Sequence, residues 1–174
     1  VKQAFVSAED KNFYEHKGYD VIGIGSAVLD AARGGRLRGA STITQQVMKN
    51  FLLDGSRSFE RKIKEIILAS RLETTLSKDQ ILELYLNEIF LGQNSYGVTA
   101  AADTYFGKNL EDLSVAEAAY LAVLPKAPSQ YHPVRQVQRA TGRRNFVLKE
   151  MYENGYVDKA TYKASKKILL RTVQ

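Results

Sequence analysis

Three groups of side chains in this sequence have types and spacings suited to moving a proton or holding an anion. In "AFVSAEDKNFYEHKG" (residues 4–18) Phe5, Glu9 and Phe13 stand at i, i+4 and i+8. On one helix they would share a face, with His16 seven residues beyond Glu9. An ionised carboxylate in an apolar stripe is costly unless it is paired or shifts its proton affinity. Glu9 therefore reads either as an edge residue held by a cation or as a general base. On the segment 59–76, Arg61, Lys62 and Glu65 project away from an apolar face centred on Ile63, Ile66, Ile67 and Ser70. By itself the Arg61–Glu65 spacing is that of a surface salt bridge of little worth. On 42–52, Thr42, Gln45, Gln46 and Lys49 form a polar stripe backed by Ile43, Val47 and Phe51. Paired glutamines suit sugar hydroxyls or amides, and a helix N-terminus carrying Ser41 and Thr42 suits an anion. Arg57 follows in the turn.

The elements that must position these groups read as helices almost throughout. The pattern predicts helices over 2–15 and 20–32, a basic loop "RGGRLRGAS", a helix over 42–52 with Ser41 as N-cap, and another over 59–76. "SKDQ" and "SVAE" are capping boxes, Ser77 with Gln80 and Ser114 with Glu117, opening helices near 78–88 and 115–124. A helix near 135–153 ends at Gly155, and Asp158 caps a short last one. The Tyr- and Phe-rich stretch 78–108 reads as core, with no repeat and no convincing hairpin. The expected fold class is mainly α.

Composition narrows the function. At 174 residues, 44% of them hydrophobic, the chain suits one domain, or a domain with a subsidiary lobe. It has no cysteine and only two histidines, His16 and His132, so thiolate and classical zinc sites are out. No apolar run is long enough to span a bilayer, and the chain opens directly on an amphipathic helix, as a piece of a longer protein would. The net charge of +6 is concentrated in two places. Residues 33–64 carry eight Lys/Arg against two acids, and 135–174 carry ten against three. Basic clusters seek phosphates, in nucleic acid, lipid or pyrophosphate. The segment 19–38 joins Val21, Ile24 and Leu29 to Arg36 and Arg38, a composition that suits a membrane interface as well as an ordinary packed helix.

These motifs together resemble the peptidoglycan glycosyltransferases, glycosyltransferase family 51. That family occurs as the N-terminal catalytic domain of class A penicillin-binding proteins and as monofunctional enzymes. "EDKNFYEHKG" (9–18), "GASTITQQ" (39–46), "RKIKE" (61–65), "KDQILELYLNEIFLG" (78–92) and "YGVTAAADTYFGK" (96–108) appear in family order. "LAVLPKAPSQYHP" (121–133) also matches, and one departure is Gly39-Ala40 where Gly-Gly is usual. The resemblance implies a lysozyme-like helical lobe and a smaller membrane-apposed lobe, roughly 17–58, with a cleft between them.

It also implies the chemistry. Lipid II is polymerised as the 4-hydroxyl of an acceptor GlcNAc attacks C1 of the donor MurNAc, forming a β-1,4 bond and releasing undecaprenyl pyrophosphate. By resemblance Glu9 is the general base and Glu65 the second essential carboxylate. Ser41, Gln46, Lys49, Arg57, Arg61 and Lys62 match positions that bind or shape the donor site. Apolar neighbours would raise the proton affinity of Glu9 toward what a base needs, and cations would stabilise the anionic leaving group. No cofactor is required by the resemblance, which leaves room for a divalent cation (Mg or Mn) at the pyrophosphate with Glu65 as candidate ligand. Implied partners are lipid II, the lipid-linked glycan strand, the membrane surface and a C-terminal transpeptidase domain in the parent protein. Implied location is the outer face of the bacterial cytoplasmic membrane, anchored by an N-terminal transmembrane helix absent from this chain.

Rival readings differ in their needs. A lysozyme-like hydrolase or lytic transglycosylase expels a neutral sugar and has no use for Lys49, Arg57 and Lys62 beside the second carboxylate. A DNA-binding domain would need a recognition helix, whereas these cations are mixed with carboxylates over several helices, which points away from nucleic acid. A non-catalytic scaffold would not need Glu9 and Glu65 in their motifs. The chain has no S-x-x-K motif, hence no penicillin-reactive serine of its own.

Overall fold

The computed structural model describes residues 1–20, 41–51 and 59–173, with the side chains of Phe51 and Phe59 outside that description. The expected helix beyond residue 20, the basic loop before Ser41, Arg57 and most of the 19–38 interface segment lie outside the described residues.

Helices follow one another as α1 (Lys2–Glu9), α2 (Ile43–Phe51), α3 (Phe59–Thr75), α4 (Lys78–Glu88), α5 (Val98–Phe106), α6 (Val115–Leu121), α7 (Val137–Glu153) and α8 (Lys159–Lys167). Short 3₁₀ turns lie at Leu110–Asp112 and Pro128–Tyr131. The mainly α class holds among the described residues. They contain no strand beyond an isolated antiparallel bridge between Phe90 and Tyr96, closed by left-handed Gln93 and Asn94. None of their helices is long and apolar enough to cross a membrane.

Helix starts sit where side-chain chemistry sets them. Ser114 and Glu117 satisfy each other's backbone N–H groups, and Ser77 with Gln80 does the same at 2.9 and 3.2 Å. Asp158 accepts from the Thr161 N–H at 2.7 Å and opens α8. The cap of α2 is Thr42, one residue beyond the Ser41 that the sequence suggested. Its hydroxyl accepts from Gln45 N at 3.1 Å, while Gln45 Oε1 accepts from Thr42 N at 2.7 Å. Ser41 is thereby left to serve another partner.

Two compact units result, residues 1–11 with 86–174, and residues 12–85. In the first, α1 packs on α6 and α7. Its core joins Ala4, Phe5 and Val6 to Tyr120, Leu121, Ala140, Val147 and Leu148, all buried. Tyr105 and Tyr120 meet edge to face at 5.8 Å, and each hydroxyl is used, donating to Leu91 O at 2.6 Å and Tyr131 O at 2.8 Å. Burial pushes the Tyr105 hydroxyl up to about 12 and that of Tyr120 upward as well. In the second unit α2 packs on α3. Ile43, Val47, Ala69, Ile81, Leu82 and Phe13 form its apolar part.

Candidate functional site

The first expected carboxylate, Glu9, is the last residue of α1 and half-buried. The helix does not run to residue 15. Asp10 leaves helical geometry at φ −161°, ψ 75°, its N–H still bonded to Val6 O at 2.9 Å. Residues 11–15 form a turn, with Glu15 N and His16 N both donating to Asn12 O. Asp and Asn close local backbone hydrogen bonds and so favour such turns over helix. Phe13 and His16 consequently do not continue the α1 helix; Phe5 and Phe13 are each fully buried. The carboxylate of Glu9 stands instead at the negative end of the α1 dipole, where anionic charge is least favoured. Asn154, just past α7, donates to Ser7 Oγ at 3.1 Å and fixes α1 against its neighbour. Asp10, which sequence reasoning passed over, is buried beside Glu9 in the chain; the Glu-Asp pair itself was the available signal.

The second carboxylate reverses a sequence expectation. Periodicity placed Ile63 and Ile67 of α3 inside and Glu65 outside. In the structure Ile63 and Ile67 are 43% and 47% exposed, while Glu65 is 4% exposed and Ala69 fully buried. The cause lies in what the inner face meets. Lys62 Nζ donates to both Ser41 Oγ and Glu65 Oε1, the latter at 3.0 Å. Thr44 of α2 donates to Glu73 Oε1 at 2.6 Å, about two turns further along α3. These polar residues find partners inside the unit, which a count of apolar positions cannot register.

A second network holds residues 13–18 to these helices. Lys78 Nζ lies 2.8 Å from Glu73 Oε1, 3.3 Å from His16 Nδ1 and 4.6 Å from the centre of the Phe13 ring. The N–H of Gly18 donates to His16 Nδ1 at 3.1 Å, and Gly18 O accepts from the Thr42 hydroxyl at 2.8 Å. Gly18 adopts φ +100°, and a Cβ there would stand 2.7 Å from the backbone C and O of Ala69. Only glycine permits both the conformation and the approach.

Of the expected substrate-binding residues, the structure brings Ser41 and Lys62 together with Glu65. Arg61 and Gln46 are half-buried, and Lys49 is exposed in the last turn of α2. Arg57 lies outside the described residues. Gln45 differs from its expected role, since it is fully buried and spends its carbonyl on the α2 cap. Among the described residues no three acidic or histidine side chains cluster to hold a metal. Glu65 Oε1 already faces an ammonium, and hard cations require several oxygens. These side chains therefore do not make a cation site by themselves.

Comparison with known proteins identifies the family. The family model described as Transglycosylase matches residues 1–152. Penicillin-binding protein 1A of Neisseria flavescens is 54% identical over 158 residues, 90% of this chain and 20% of that protein. Penicillin-binding protein 1A of Aquifex aeolicus is 52% identical over 163 residues, 93% of this chain and 22% of the relative. The crystal structure of penicillin-binding protein 1A from Haemophilus influenzae aligns with a TM-score of 0.53 at 38% identity, covering 75% of this chain and 16% of that one. The chain thus spans about a fifth of the length of the relatives it matches. With ordered motifs, a helical fold and a match over residues 1–152, this chain belongs to the transglycosylase family.

Proposed function

We propose that this chain is a peptidoglycan glycosyltransferase that polymerises lipid II into β-1,4-linked glycan with inversion at the donor C1. The observation that carries the reading is the partly exposed Lys62, paired with the buried Glu65 and with Ser41 on the same ammonium. A cation fixed by a buried carboxylate is suited to receive an anionic leaving group without reorganising. Glu9 takes the proton from the acceptor 4-hydroxyl as that oxygen bonds to C1. The C1–O bond to the pyrophosphate breaks, and undecaprenyl pyrophosphate departs with both electrons. Lys62, with Lys49, Arg57 and Arg61, neutralises it, while Ser41 and Gln46 supply neutral hydrogen bonds. Glu65 orients Lys62. A divalent cation at the pyrophosphate would draw its oxygens chiefly from the substrate.

The same reading puts the chain at the outer face of the bacterial cytoplasmic membrane, with lipid II and the lipid-linked strand as partners. The parent protein would carry a transmembrane anchor and a transpeptidase domain. The test is to give the chain labelled lipid II in one reaction and purified lipid-free glycan strands in another. Lysozyme-sensitive polymer from lipid II alone is the expected result. Cleavage of the strands without polymerisation would make this a hydrolase.

A further inference from the structure

A cavity of about 280 Å³ opens within the first unit, between α6, α7 and the segment that follows α8. None of the residues lining it is assigned to glycosyl transfer. Its walls combine apolar surface from Phe106 and Leu169 with three cations, Lys108, Arg144 and Arg171, against one carboxylate, Glu117.

That charge balance is the anomaly. Glu117 is already matched, since Lys108 Nζ donates to its Oε1 at 2.9 Å. Arg144 is 1% exposed, yet its hydrogen bonds go to neutral acceptors. Nε and Nη2 donate to Asn145 Oδ1 at 3.3 and 3.1 Å, and Nη2 reaches Lys166 O at 3.4 Å. Buried guanidinium groups are ordinarily paired with an anion, because removing such a charge from water costs several kcal/mol. Burial accordingly pushes this guanidinium below its usual value. The Lys166 carbonyl, at the C-terminal end of α8, offers only the partial charge of a helix terminus. It accounts neither for the cavity nor for Arg171, the second guanidinium lining it.

We propose that this cavity is a binding site for a carboxylate carried on an apolar body, the carboxylate against Arg144 and Arg171 and the body against Phe106 and Leu169. The volume, just below the usual range for ligand pockets, suits a group of this size. A carboxylate matches a guanidinium in its planar, two-point geometry, and the apolar wall distinguishes such a ligand from a bare anion.

The test is a titration of the isotope-labelled chain at constant ionic strength, following the Arg144 Nε–Hε resonance and the backbone amides of Lys108 and Leu169. Hexanoate is the probe, hexanol has the same body without charge, and inorganic phosphate is an anion without a body. Hexanoate should give saturable shifts, with hexanol and phosphate each at least tenfold weaker. Arg144→Met, an apolar replacement chosen to keep the fold, should weaken hexanoate at least tenfold, read at the amides. Arg171→Ala removes an exposed side chain and should weaken it severalfold, read at Arg144 itself. No saturable shift, hexanol or phosphate binding as tightly as hexanoate, or unchanged affinity in Arg171→Ala would overturn the assignment.

Discussion

Lys62 Nζ stands 3.0 Å from Glu65 Oε1, three residues away on α3, and the Glu65 side chain is 6% exposed against 39% for Lys62. The pair therefore has one member inside and one reaching toward solvent, where a substrate anion can meet it. Removing Lys62 leaves a buried carboxylate without its partner. Lys62→Ala should cost about 1–3 kcal/mol in chemical denaturation, below the full penalty of a wholly buried pair because Lys62 is partly exposed. The double variant Lys62→Met with Glu65→Leu should recover most of that stability while polymerisation stays impaired. Equal stability losses in the single and double variants would contradict the pairing.

For the leaving group, one charge-assisted contact contributes roughly 1.5–3 kcal/mol. Lys62→Ala should accordingly lower the rate on lipid II by about one to two decades. Lys62→Arg retains part of it, since the two cations differ in geometry. An undiminished rate for Lys62→Ala would remove this residue from the donor site.

Lys78 joins Glu73, His16 and Phe13, so Lys78→Met strands the mostly buried Glu73 carboxylate. The expected loss is about 3 kcal/mol. Glu73→Gln keeps an acceptor for Thr44 and should cost less. A denaturation series that ranks these two variants in the opposite order would show that the ammonium is not what holds the segment.

Gly18 and Gly142 form a contrast. At Gly18 the positive φ and the 2.7 Å approach to Ala69 predict that Gly18→Ala costs about 2–5 kcal/mol. Gly142 sits within α7 with open space around its Cβ position, so Gly142→Ala should stabilise by about 0.5–1 kcal/mol. Thermal unfolding of the two variants checks both signs at once.

At Glu117, burial raises the carboxyl, and hydrogen bonds from Ser114 and Lys108 more than offset it, leaving the group below its ordinary 4.5. A folded value below the unfolded one gives stability that is complete above about 4.5 and is lost as pH falls through the folded value. Asp158 acts in the same direction through its bonds with Thr161. Urea midpoints across the acid range should fall less steeply for Glu117→Gln than for the parent chain. An unchanged slope would contradict the assignment.

Much of this was legible in the residues. Capping boxes at Ser77–Gln80 and Ser114–Glu117 marked helix starts because the side chains that end a helix also name its first turn. Two readings failed for a common physical reason. The spacing of Phe5, Glu9 and Phe13 continues a helix on paper, but Asp10 and Asn12 prefer turn geometry, and no periodic count weighs that choice. The face of α3 was inverted because apolar periodicity assumes an apolar interior. Here the interior supplies Ser41 and Thr44 as partners for Lys62 and Glu73, and Ile63 and Ile67 turn outward. Thr42 rather than Ser41 caps α2 because Gln45 answers it, a capping box shifted by one residue from the expected start.

The most direct test is the initial rate of Glu9→Gln on labelled lipid II, measured beside binding of the same donor. The substitution keeps size and hydrogen-bonding capacity at the end of α1 and removes only the ability to take a proton. General base catalysis is worth about 10²–10⁴-fold. The account predicts a loss of at least that size with donor affinity and thermal stability near those of the parent chain. Turnover of lipid II at the parent rate by Glu9→Gln would contradict it.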